Sequence, residues 1–111
     1  MLFRSLWQAQ HNAAAAAFAA GRFDEAQQHL SIALVASQRF GARDLRYAAT
    51  LNDLGLTYFR LGEFARAEPL HKQALAIRQQ TLPAGHPLIA ASYNDLGFLD
   101  AAMGQIGRAH V

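Results

Sequence analysis

Cysteine is absent from the 111 residues, which excludes disulfide staples and thiolate chemistry and suits a reducing, cytoplasmic setting. No stretch approaches the roughly 20 consecutive apolar residues that a membrane span requires, so the chain reads as soluble. The N-terminal segment has the outline of a signal peptide, with Arg4 ahead of apolar residues and small residues from Ala13 to Ala20. Gln8, Gln10, His11 and Asn12 break that run, and it reads instead as an alanine-rich helix. Alternation of period two is missing, which leaves no half-buried strands. Catalytic patterns are missing too. His11, His29, His71, His86 and His110 lack the close spacing of a zinc site, and there is no His-Glu-x-x-His, nucleophile elbow or phosphate-cradling glycine loop. The acidic pairs Asp24-Glu25 and Glu63/Glu68 fall on faces expected to be solvated. No catalytic, cofactor-binding or metal-binding residue is expected, and the chain is not read as an enzyme.

What the sequence does hold is a long internal repeat. Leu51-Asn52-Asp53-Leu54-Gly55 returns as Tyr93-Asn94-Asp95-Leu96-Gly97 after 42 residues. Gly62-Glu63-Phe64-Ala65-Arg66-Ala67 has an earlier copy in Gly21-Arg22-Phe23-Asp24-Glu25-Ala26, 41 residues back. A degraded later copy stands in Gly104-Gln105-Ile106-Gly107-Arg108-Ala109. Recurrence at this length marks an array of stacked units, none of which buries its apolar face alone. The offset falls from 42 to 41 because repeat one is a residue shorter late in its second half.

Within each unit the apolar residues recur at three and four spacing, as in Leu45, Ala48, Leu51, Leu54, Tyr58 and Leu61, then Phe64, Ala67, Leu70, Ala74 and Ile77. The units are therefore helix pairs. Gly21, Gly62 and Gly104 are the expected turns inside each pair, and residues 40–44 and 82–87 are the linkers between pairs. Asp44 is placed to cap the helix after it, His86 likewise, and Pro87 suits a first helical turn. Gly55, Gly97, Ala26, Ala67 and Ala74 are small enough for backbones to approach closely.

These residues resemble the tetratricopeptide repeat (TPR) family, specifically the longer repeats similar to those of kinesin light chains. In repeat two, Leu51, Leu54, Gly55, Tyr58, Gly62, Ala67 and Ala74 fall on the signature positions, with His71 in place of the usual aromatic. The residues beyond the roughly 34 of a standard repeat lengthen the second helix and the linker, whose Gly85-His86-Pro87 ending is also family-like. Repeat one departs from the pattern at Ala13, Ala14 and Ala17, and repeat three at Asp100. The resemblance implies an all-α solenoid of antiparallel helix pairs, about two and a half repeats long. Repeat one spans about 6–43, repeat two 44–85 and a truncated repeat three 86–111.

The resemblance further implies a concave groove, lined mainly by first helices, that holds a peptide or a partner's helix. Its positions would be His11, Ala15 and Phe18; Asn52, Leu56, Phe59 and Arg60; and Asn94, Phe98 and Ala101. Asn52 and Asn94 stand out, because an amide offers both a donor and an acceptor to a peptide backbone. Their alternative role is a solvated position or a local bond, although a poor helix former repeated at one register favours the groove. Phe59 and Phe98 suit core packing equally well, and Arg60 also suits the negative end of its helix.

Two further readings compete with a binding scaffold. One is a regulatory TPR segment attached to an enzymatic or signalling domain. The other is a nucleic-acid binder, suggested by a net charge of +2 and a pI near 9.5. The opening Met1-Leu2-Phe3-Arg4-Ser5 and the closing residues 106–111 match translations of the two strands of one sequencing adapter, GTG CTC TTC CGA TCT and ATC GGA AGA GCA CAC GTC. On that reading the natural segment is 6–105. Without Arg4 and Arg108 its eight basic residues meet eight acidic ones, and the excess charge expected for phosphate binding disappears. The competing view is that Arg108-Ala109 is genuine, since it aligns with Arg66-Ala67. A third repeat cut short would leave Leu96, Leu99 and Met103 partly uncovered, so self-association through the C-terminal helix is expected.

Overall fold

A computed structural model describes the backbone of residues 2–109 and the side chains of residues 2–105. Five helices follow one another: α1 (Leu2–Ala19), α2 (Phe23–Ser37), α3 (Leu45–Arg60), α4 (Phe64–Thr81) and α5 (Pro87–Ala109), with a short 3₁₀ turn at Gln38–Phe40. Each helix packs mainly on its neighbours in sequence. The result is an elongated slab, 52 × 34 × 19 Å, whose smallest dimension equals about two helix diameters. Among the described residues no helix is long and apolar enough to cross a membrane.

Helix pairing follows from the small residues. Ala26, Ala33, Ala48, Ala67 and Ala74 are fully buried, so backbones meet where larger side chains would wedge them apart. Leu51, Ala74 and Ile77 form one core with Leu34 of the preceding repeat packed against it. Leu30 and Leu54 form another, so successive repeats share their interior. The turns inside pairs one and two are alike. Gly21 and Gly62 take φ values of 78° and 77°, a left-handed conformation that lets a helix end and the chain reverse. Across each turn two aromatic rings clasp: Phe18 against Phe23 at 5.1 Å, and Phe59 against Phe64 at 5.2 Å.

The expected turn at Gly104 does not form. α5 runs without a break to Ala109. The register explains this, because Ala101 stands where Phe18 and Phe59 stand, so no aromatic clasp is available to reward a reversal. With nothing to offset the hydrogen bonds lost in ending a helix, local propensity carries it on.

The linkers behave as their residues require. The Asp44 carboxylate accepts from the Arg46 backbone N–H at 2.8 Å, and His86 Nδ1 accepts from the Leu88 N–H at 3.0 Å. Pro87 opens α5. The Arg46 guanidinium beside Asp44 holds that carboxyl below its ordinary pKa. It also lies 3.7 Å from the centre of the Phe40 ring, tying the first linker down.

Candidate functional site

α1 and α3 both pack on or beside α2, and between them lies a cleft of about 220 Å³. His11, Ala15 and Phe18 form its α1 wall, Asp53, Leu56 and Thr57 its α3 wall, and Leu30 of α2 closes it below. The alanines of α1 are what leave this space open. His11 stacks on Trp7, ring centres 4.9 Å apart, and its Nδ1 lies 3.8 Å from Asp53 Oδ2. That ring nitrogen is buried and has no hydrogen-bond partner among the described residues. Arg60 sits one helical turn beyond Leu56, with its guanidinium 5.8 Å from the Phe18 ring.

A polar seam runs on from this cleft between repeats two and three. His71 is buried with its ring against Gly55; a Cβ on that glycine would lie 2.7 Å from His71 Nε2. The His71 Nδ1 faces Asn52 Oδ1 at 3.1 Å, while Asn52 Nδ2 donates to Asp95 Oδ2 at 3.4 Å. Because the Asn52 oxygen can only accept, the imidazole proton belongs on Nδ1. Burial pushes the His71 pKa down, opposed by the Asp95 carboxylate 4.0 Å away, so the ring is neutral near pH 7. Arg78, also buried, donates to Ser92 Oγ at 2.8 Å and to the Leu88 carbonyl at 3.3 Å. Desolvation lowers its pKa, and Asp53 and Asp95 favour its charge. Asp53 is pushed up by partial burial; His11 and then Arg78 oppose this, and Asp95 adds to it.

The sequence-expected groove residues therefore separate. His11, Ala15, Phe18 and Leu56 come together in the cleft, with Arg60 at its edge. Phe59 is half-buried in the turn clasp. Asn52 differs from the expectation of a free amide: it is 7% exposed and both ends of its side chain are engaged inside the array. Asn94, Phe98 and Ala101 are exposed on α5, away from that cleft's lining. Sequence reasoning missed the seam. Its signal was the Asp beside each repeated Asn, together with a histidine at the aromatic position of repeat two; only the stacking of repeat three on repeat two brings Asn52, His71 and Asp95 together.

The tetratricopeptide repeat family profile matches residues 7–80, two thirds of the chain, and the chain belongs to that family. Members are generally protein-interaction scaffolds. Among solved structures it is similar to the kinesin-light-chain-like protein BtubC (BKLC) from P. vanneervenii, with 29% identity and a TM-score of 0.80. The match covers 94% of this chain but only 42% of the BtubC chain. No curated protein matches.

Proposed function

We propose that this chain is a protein-interaction scaffold that holds a peptide or a partner's helix against the α1 and α3 faces. The observation that carries this reading is the cleft itself. It is apolar along both walls and carries polar groups, His11 and Asp53, at one end, the composition expected of a site that buries a side chain and orients it. Leu56 supplies apolar contact, and Phe59, Arg60 and the exposed Asn94 and Phe98 extend the surface along successive first helices. Asn52 then serves by holding His71 and Asp95 in place. Screening a displayed random peptide library against the wild type and Leu56→Glu tests the proposal. Leu56 is only partly buried, so the variant retains its core. Enrichment on the wild type that the variant loses by tenfold or more, about 1.4 kcal/mol, supports the groove; equal enrichment removes it.

A further inference from the structure

The wall that α3 presents to the cleft has an ordered chemistry. Asp53, Leu56 and Arg60 lie at i, i+3 and i+7, one face of one helix, and read acid, apolar, base over about 10.5 Å. Among the described residues neither charge forms a salt bridge with a lysine, arginine, aspartate or glutamate. Asp53 has the His11 ring at 3.8 Å and the more distant charge of Arg78, and 41% of its side chain remains open to solvent. Arg60 is exposed, and the structure places it over the Phe18 ring rather than beside a carboxylate. On the facing α1 wall His11 stands beside Asp53, while Ala15 and Phe18 bring no charge to the rest of the cleft.

We infer that the ligand of this cleft is an extended peptide carrying one basic and one acidic side chain on either side of an apolar residue, the basic group on Asp53 and the acidic group on Arg60. This rests on the groove reading above and adds the chemistry of its occupant. Extended chain advances about 3.3 Å per residue and side chains two residues apart share a face, so the two ligand charges stand about four residues apart with the apolar residue midway between them. The apolar side chain between them fills the space bounded by Ala15, Phe18 and Leu56. A ligand of uniform sign meets attraction at one end of the wall and repulsion at the other, so charge order, more than net charge, sets the preference.

Four capped, fluorescently labelled peptides of one background test this with the whole chain. Each carries leucine flanked, at that spacing, by lysine and glutamate, by two lysines, by two glutamates or by two glutamines. The lysine and glutamate peptide is expected to bind tightest, each lost charge match weakening binding by about threefold, the scale of a solvent-exposed pair. Asp53→Asn should erase the preference for lysine alone, and Arg60→Gln the preference for glutamate alone. Four equal affinities, with amide signals of Ala15, Phe18 and Leu56 shifting in each case, overturn the inference and leave the groove standing. Binding by none of the four removes the groove and the inference together. If either variant unfolds, a salt series on the wild type decides: the advantage of the mixed-charge peptide shrinks as ionic strength rises, and an advantage unchanged by salt overturns the assignment.

Discussion

Gly55 and Gly97 occupy one register in consecutive repeats and meet opposite surroundings. A methyl at Gly55 would press on the His71 ring at 2.7 Å, whereas one at Gly97 meets nothing within 4 Å. Gly55→Ala is therefore expected to cost about 1 to 3 kcal/mol through overpacking, while Gly97→Ala gains up to about 1 kcal/mol in helix propensity. Urea melts of the two variants check the contrast, and losses of equal size would contradict it. His71 makes a pH-dependent prediction at the same scale. Its pKa in the fold lies below the ordinary imidazole value of about 6.5, so the unfolded chain takes up a proton that the folded chain resists. The neutral ring carries no penalty above the unfolded pKa; stability then falls as the pH drops below about 6.5, until the folded value is passed. Thermal melts between about pH 7 and 5.5 should show this slope in the wild type and a shallower one in His71→Leu.

At the scale of elements, the joints between helices combine apolar packing with single polar ties. Trp7 Nε1–H donates to Thr50 Oγ1 at 2.8 Å, joining α1 to α3 across the first linker, and the Thr50 hydroxyl in turn donates to the Arg46 carbonyl at 2.7 Å. Thr50→Val keeps the shape of the side chain and strands a buried indole N–H, at an expected cost of about 1 to 3 kcal/mol. Tryptophan fluorescence through a urea transition measures it, and a wild-type midpoint would show the tie to be idle. The turn at Gly62 and the missing turn at Gly104 teach the same lesson. A glycine permits a reversal, but the aromatic clasp that follows rewards it. That clasp was visible in the sequence as Phe18 with Phe23 and Phe59 with Phe64, and its absence was visible as Ala101. Gly104 has the glycine without the clasp, and α5 passes straight through it.

Over the whole molecule, α5 forms one of two ends with exposed apolar side chains, the other carrying Leu2, Ile32 and Val35. Tyr93 is 55% exposed and Phe98 67%, whereas Leu51, the repeat-two equivalent of Tyr93, is buried beneath its own second helix. Stacked repeats share their core with the next unit, so this face is expected to associate with another copy as concentration rises. Sedimentation velocity over a wide concentration range should show growing species in the wild type and fewer in the double variant Tyr93→Glu, Phe98→Glu. A wild-type chain that stays monomeric throughout counts against it.

Helix periodicity, turn glycines, cap residues and the 41- and 42-residue echoes are local or strictly repeated, so the residues themselves determined the helix pairs of repeats one and two and the stacked order of the repeats. His11 and Leu56 were legible as cleft residues for the same reason: register alone places them on first-helix faces. The state of the Asn52 amide was not legible, because it depends on His71 from the same repeat and Asp95 from the next, 19 and 43 residues away. The cleft's volume and the polar seam were likewise decided only by how the repeats stack, since each depends on what a neighbouring helix does or does not supply.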